Sequence, residues 1–492
     1  MDMFCRSILA APIFTAIAIL LLLEAASTPV CTADTTITPV NRDDWRWVKG
    51  AVFVPTNAVN EAQQWDEYDP AVNDRELHYA SVYGVNCVRA YLHYYIYLKK
   101  KDALLNDIED FLTRANKYGI KVEFVFFDDC WNQPPKELLN SDFKYPAPLP
   151  GVHNSQWLVS PGEDARKHYD ENLPKLKAYV HDIVNAHKED QRIAFWETYN
   201  EPNKSAETKR LEQDSQKWVH ETGTSIPVTA TGSHFSGDPY SDFKSWHMYG
   251  TYKDIALHNE HELNTECMNR YKQTVPGIVE HFAGKSGFEI WEFGIGRDNC
   301  RFSWKENRSH PRPDEPKVPF HGMVYADGHP WSIDDVKAFA GADAFAKAPL
   351  FHVEYFTDDN FGNSAKKSVT PMIDFDLPNE QGIGSPDPQA GIPHEHYSAK
   401  WTGNIEPPSS GTYNFFIDSD GAVNVAIDGK AVITKKAEDK GEATGSAALA
   451  AGHASEISVA YSHGQGAASL HLLWSGPGIA GKIVVIPIAS AK

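Results

Sequence analysis

From Trp45 to about Gly341 the sequence repeats one plan: a short β-rich apolar run, a polar turn, then a stretch with helical periodicity. The runs are Trp47–Pro55, Val85–Leu92, Lys121–Asp128, Ile193–Tyr199, Pro227–Gly232, Phe243–Tyr249, Phe288–Phe293 and, with the weakest pattern, His321–Tyr325. Helical stripes lie between them, as in Ala103–Tyr118, where Leu104, Leu105, Ile108, Phe111 and Leu112 share one face, and in Leu173–His187. Alternating β and α in this number predicts a parallel (β/α)8 TIM barrel rather than an open sheet.

After Phe345 the pattern changes to alternating β-branched runs separated by Asp418-Ser419-Asp420-Gly421 and Asp428-Gly429-Lys430, which predicts an antiparallel all-β sandwich with tight turns. The boundary is placed at 347. The chain then divides into a leader at 1–33, a barrel at 34–347 and a sandwich at 348–492. The leader is read from the apolar run Ile8–Leu23 after Arg6, followed by small residues to Ala33. At about 16 residues the run is shorter than the ~20 that span a bilayer comfortably, so export with cleavage is expected, with no integral span afterwards. The product is secreted, periplasmic or extracellular.

A formal net charge of −20 argues against nucleic acid and anionic lipid as partners and leaves a neutral polymer as the natural ligand. Of six cysteines, Cys87, Cys130, Cys267 and Cys300 remain after the leader. Their spacing matches no zinc pattern, and neither a metal nor a cofactor is expected. Cys267 with Cys300 is the preferred bridge, since both flank one predicted strand.

Two runs end in an acid where a barrel strand opens into its mouth: Phe195-Trp196-Glu197-Thr198-Tyr199-Asn200-Glu201-Pro202 and Phe288-Glu289-Ile290-Trp291-Glu292-Phe293-Gly294. Cleaving a glycosidic bond with retention needs two carboxyls about 5–5.5 Å apart, one to protonate the leaving oxygen and one against the anomeric carbon. Strands four and seven face one another across the mouth, so Glu201 is assigned as acid/base, with a raised pKa, and Glu292 as nucleophile. Asn200 is placed to bond the sugar 2-hydroxyl. Glu197 and Glu289, earlier on the same strands, read as a structural ion pair. Asp128 and Asp129 end strand three, as sugar ligands or as a turn. Tyr91, His93, Tyr94 and Tyr95 are either a stacking platform or core.

These strings resemble clan A retaining glycoside hydrolases, the group that includes family 5 cellulases and mannanases. The resemblance implies that Arg89 holds the nucleophile ionised, that His247 and Tyr249 line the sugar site with Tyr249 on the nucleophile, and that a tryptophan stacks on the sugar, for which Trp291 and Trp331 are the candidates. The C-terminal residues Phe351–Phe356, Trp401-Thr402-Gly403, Gly411-Thr412-Tyr413, Ile427–Lys430 and Leu473-Trp474 resemble the PA14 module, which implies glycan binding. Sugar-binding relatives hold calcium with adjacent aspartates, whereas here Ser419 precedes Asp420. The expected activity is hydrolysis of β-linked glucan, mannan or a related polysaccharide or oligosaccharide. The competing reading is a non-catalytic carbohydrate-binding adhesin with an inactive barrel.

Overall fold

The computed structural model describes residues 37–231, 239–252, 259–312 and 314–489. The leader assigned to 1–33 lies outside them. No helix of the described residues is long and apolar enough to cross a membrane.

Eight parallel strands form the first layer: β1 (Lys49–Val52), β2 (Cys87–Tyr91), β3 (Lys121–Asp128), β4 (Ile193–Asn200), β5 (Val228–Thr231), β6 (Lys244–Met248), β7 (Glu262–Cys267) and β8 (Gly287–Ile290). They are ordered β5-β4-β3-β2-β1-β8-β7-β6. The end strands meet without a ladder, through one backbone bond and a hydroxyl pair: Asp242 N donates to the Val228 carbonyl at 2.8 Å, and Thr229 Oγ1 lies 2.8 Å from Ser245 Oγ. The sheet is thereby an almost closed barrel. β3 is buried at every position, as Val122-Glu123-Phe124-Val125-Phe126-Phe127 requires of a strand covered on both faces. Outside it pack helices such as Tyr94–Lys117, whose Leu104, Ile108, Phe111 and Leu112 are buried as the stripe predicts.

The seventh and eighth strands differ from expectation. Residues 288–293 belong to the eighth barrel strand and the turn after it, while the seventh is Glu262-Leu263-Asn264-Thr265-Glu266-Cys267, a polar segment with no apolar run. Residues 321–325 are outside the barrel; only β10 (Val324–Tyr325) pairs, in parallel, with β9 (Gly294–Ile295). The preferred disulfide is also overturned, for all four described cysteines are free. The Cys267 thiol donates to the Glu289 carbonyl at 3.3 Å, whereas Cys300 donates to Asn154 Oδ1 at 2.8 Å and accepts from Trp291 Nε1.

The C-terminal region is a sandwich of antiparallel strands: β11 (Phe351–Phe356), β12 (Ser364–Thr370), β13 (Asp374–Leu377), β14 (Ser398–Ile405), β15 (Gly411–Ser419), β16 (Ala422–Ile427), β17 (Lys430–Lys435), β18 (Ala443–Leu449), β19 (Ser455–Ser462), β20 (Ala468–Ser475) and β21 (Ile483–Val484). One sheet runs β12-β11-β14-β19-β16-β17; the other runs β13-β20-β15-β18 with β21 on β20. Inward positions alternate along β19 and β20, with Ile457, Val459 and Tyr461 facing Leu470 and Leu472 in one core. Asp428 and Gly429 both take positive φ, 49° and 72°, as a two-residue β16–β17 turn demands. The sandwich packs directly on the barrel: Val369 and Met372 join the barrel's apolar core, and Tyr79 and Tyr83 donate to the Asp374 and Val369 carbonyls at 3.0 and 3.4 Å.

Candidate active site

At the C-terminal ends of the strands lies a cavity of about 480 Å³. Its floor and sides come from β3 and the segment after it (Asp128, Cys130, Trp131, His153, Asn154, Trp157), from β4 (Asn200, Glu201), from the turn after β6 (Tyr249), from β7 (Glu266) and from the segment after β8 (Trp291, Trp304, His321). Glu201, Asn200, Asp128, Tyr249 and Trp291 are thus brought together, and His247 and Arg89 touch them from below.

Arg89 is fully buried at the centre. Its Nη1 donates to Glu266 Oε1 at 2.6 Å, its Nη2 to Glu197 Oε1 at 2.6 Å and to Asn200 Oδ1 at 2.9 Å, and its Nε to Glu123 Oε1 at 3.1 Å. Burial opposes its charge, but the surrounding carboxylates outweigh that and push its pKa up. Glu266 also accepts from Tyr91 OH at 2.9 Å and, at Oε2, from Tyr249 OH at 2.6 Å. His247 Nδ1 stands between the acids, 2.7 Å from Glu201 Oε1 and 3.4 Å from Glu266 Oε2. A carboxylate oxygen of Glu201 and one of Glu266 lie within 4.8 Å of each other.

The two acids differ in access. The Glu201 side chain is 42% exposed, whereas that of Glu266 is 5% exposed, so Glu201 edges the mouth and Glu266 forms the floor. Burial raises the Glu201 carboxyl, but the His247 hydrogen bond and charge outweigh it and hold the pKa down at about 2. The expectation of a raised value is therefore reversed. Burial lowers His247, and the field of Glu266 followed by the bond to Glu201 reverses that to a net rise. The pair Glu201–His247 accordingly carries its proton on the imidazole.

Asn200 is clamped at both ends of its amide, since Nδ2 donates to Asp128 Oδ1 at 2.9 Å while Oδ1 accepts from Arg89. Asp128 also accepts from Trp157 Nε1 at 2.7 Å, and burial pushes its pKa up to about 7. Asp129 turns the other way: it pairs with Arg166 and accepts from Asn203 N at 2.9 Å and Thr208 Oγ1 at 3.0 Å, anchoring the segment after Glu201. Of the aromatic residues after β2, His93, Tyr94 and Tyr95 are packed in the interior and Tyr91 serves Glu266.

Glu292 and Trp331 are not brought to this cavity. The peptide after Trp291 carries Glu292 behind the β8 end, where it is 1% exposed and clusters with Asp298 and Cys300 within 4.8 Å. Burial first, then Asp298, pushes its carboxyl well above the ordinary range. Trp331 lies in the connection to the sandwich, where the Arg270 guanidinium sits 4.6 Å from its ring. Trp291 instead lines the cavity, 5.3 Å from Trp157 and 5.9 Å from Tyr91. Glu197 pairs with Arg89, whereas Glu289 shares a buried carboxyl cluster with Glu123, and burial pushes it up to about 7.

Sequence reasoning missed Glu266, His153, Asn154, Trp304 and His321. For Glu266 a signal existed: it ends a short segment whose Leu263 and Cys267 are the apolar members, between two stretches already assigned to strands. His153, Asn154 and Trp304 sit in long loops without pattern, and His321 opens a run that the pattern assigned to a barrel strand.

Three groups of described residues bring metal-type donors within 4.8 Å: Glu201–His247–Glu266, Glu292–Asp298–Cys300 and Glu109–His187–Asp190. In the first, Arg89 already supplies Glu266 with a cation; in the third, Arg192 does so for both acids at 2.6 and 2.7 Å. In the sandwich, Asp420 accepts from Tyr461 OH at 2.6 Å, His463 Nδ1 at 2.6 Å and Ser469 N at 2.7 Å, so both its oxygens are used within the fold.

Residues 353–485 match the PA14 domain, and the sandwich is of that kind. Over 123 residues, 25% of this chain and 18% of the relative, the sequence is 35% identical to the anti-sigma-I factor RsgI3 of Acetivibrio thermocellus. A solved anti-sigma factor domain-containing protein from Clostridium clariflavum is 32% identical, covering 29% of this chain and 47% of its own, with a TM-score of 0.26. A GH5_18 protein from Streptomyces cattleya, solved in complex with Manb1-4GlcNAc, covers 60% of this chain and 79% of its own at 11% identity and a TM-score of 0.40. The chain thus spans 18% of the length of the curated relative and less than half of that of the solved anti-sigma protein.

Proposed function

We propose that the protein is a retaining β-glycoside hydrolase acting outside the cytoplasm, with Glu266 as nucleophile and Glu201 as acid/base. The observation that carries this reading is the pair of acids at the barrel mouth, with oxygens within 4.8 Å, one buried among donors and one at the edge. Retaining enzymes hold their carboxyls about 5–5.5 Å apart, against about 6.5–9.5 Å for inverting ones.

In the first step an oxygen of Glu266 bonds to the anomeric carbon, the glycosidic C–O bond breaks, and the leaving oxygen takes a proton from Glu201. In the second, water attacks the same carbon, gives its proton to Glu201, and releases Glu266. Arg89, Tyr91 and Tyr249 hold and aim Glu266 through three converging hydrogen bonds. His247 supplies the timing. The field of Glu266 is the largest influence raising the imidazole. As bond formation consumes that charge, the hold of His247 on its proton weakens, and the proton passes to Glu201 when the leaving oxygen needs it. Asn200, clamped by Asp128 and Arg89, presents its amide to the sugar, and Trp291 offers a ring face.

The test is sugar release from a panel of β-glucans, mannans, galactans and xylans by the wild type and by Glu266→Gln, Glu201→Gln and Glu292→Gln. Release by the wild type and Glu292→Gln, with loss in the other two, is expected. Silence from all four with glycan binding intact overturns the hydrolase in favour of an adhesin.

A further inference from the structure

The segments after β3 and β8 are long, and such loops normally lie free at the surface. Here they are joined to each other. His153 N donates to the Glu306 carbonyl and Arg312 N to the Gly151 carbonyl, both at 2.9 Å. Asn299 Nδ2 donates to the Leu149 carbonyl at 2.9 Å, Cys300 Sγ to Asn154 Oδ1 at 2.8 Å, and Arg308 Nη2 to the Ser155 carbonyl at 2.6 Å. The segment after β1 completes the seam, since Asn60 Nδ2 donates to the Gln156 carbonyl at 2.6 Å and Glu61 accepts from Leu158 N at 3.2 Å. The joined residues are packed as in a core: His153, Asn154, Ser155, Asn299, Cys300 and Phe302 are each at most 2% exposed.

The seam spans one sector of the mouth. In the sheet order, β2 and β1 lie between β3 and β8, so a bridge from the β3 segment to the β8 segment crosses above them. The direction of the substrate follows from the chemistry. Its leaving oxygen must meet Glu201 at the end of β4, so the far side of the reacting sugar points toward the opposite strand, four places away, which is β8. That is the sealed sector. His153 and Asn154 line the cavity on one side and a smaller depression of about 260 Å³ on the other, which makes them a partition.

We propose that this seam closes the site beyond the reacting sugar, so the enzyme removes single sugars from the non-reducing ends of β-linked chains and does not cut within them. The inference rests on the hydrolase reading. The cleaved bond is the terminal one, and its atoms balance as in the two steps above.

The experiment uses cellotetraose and mannotetraose labelled at the reducing end, together with barley β-glucan and galactomannan followed by viscosity. The expected result is stepwise shortening of a labelled tetramer by one sugar, with less than about a tenth of polymer viscosity lost while reducing sugar accumulates. Early appearance of label in monomer or dimer, with falling viscosity, overturns the closed end and leaves the hydrolase reading standing. Silence on all four, with Glu266→Gln indistinguishable from wild type, overturns both. A wedge variant sharpens the result. Gly151 has φ +69°, and a Cβ there would meet the Arg312 carbonyl oxygen at 1.9 Å, so Gly151→Ala forces the segments apart. Viscosity loss per bond cut is expected to rise at least tenfold; Arg308→Ala, a milder opening of the same seam, is expected to raise it less. No rise in either variant overturns the seam as the barrier.

Discussion

The ends of β7 and β8 each present a glutamate withdrawn from solvent, and their surroundings are opposite. Glu266 is met by Arg89, Tyr91 and Tyr249, all donors, within 2.9 Å. Glu292 is met by Asp298, another acid, and its Oε2 has no hydrogen-bond partner among the described residues. Donors converge on the first, whereas burial and a second acid raise the pKa of the other. A strand-end acid becomes a nucleophile through the donors that converge on it, and its place in the strand is not enough.

The largest effect should separate the two glutamates directly. Glu266→Gln is expected to lower kcat on the order of 10³-fold or more, while Glu292→Gln stays within about threefold, as measured by sugar release under saturating substrate. Equal losses would erase the contrast. Next comes removal of one donor: Tyr249→Phe deletes a charge-assisted hydrogen bond of about 1.5–3 kcal/mol and is expected to cost about 10- to 100-fold in kcat.

A third measurement reads the proton on His247. In the wild type, the pair Glu201–His247 loses its proton at the imidazole, whose pKa is raised, so the alkaline limb of kcat/KM lies above the ordinary histidine value. In His247→Asn the same proton must reside on Glu201 alone, and the limb is expected to move to lower pH. An unmoved limb would assign it to another group.

The smallest effect concerns stability. Burial and Asp298 raise the Glu292 pKa in the folded state, so wild-type stability is expected to fall as pH rises above the unfolded value of about 4.3. Glu292→Gln cannot titrate, and its Tm is expected to vary less between pH 4.5 and 7. A slope identical to wild type would show that Glu292 is already ionised.

The parallel barrel and the antiparallel sandwich were legible because apolar runs such as 122–127 and alternating ones such as 455–462 report strands buried on two faces and on one. Glu201, Asn200, Arg89, His247, Tyr249, Asp128 and Trp291 were legible as strand-end residues that the fold gathers. β7 was not. Asn264, Thr265 and Glu266 are polar yet buried, Glu266 against Arg89 and Thr265 against Thr231, so the segment lacks the apolar signature. With one strand uncounted, Phe288–Phe293 moved into seventh place and Glu292 took the role proposed above for Glu266. The joined loops were illegible for another reason: their bonds join groups some 150 residues apart, as in Asn299 Nδ2 to the Leu149 carbonyl, and local sequence pattern does not encode them.

The sandwich rests on the barrel through Val369, Met372 and the Tyr79 and Tyr83 hydroxyls instead of hanging from a linker. A flexible tether would let a bound glycan search a volume; a fixed mount sets one distance and one angle. Any sugar chain held by the sandwich therefore reaches the cavity only if its own length and curvature match that gauge. Polymers of one pitch would gain from the second grip, and others would be served no better than by the barrel alone.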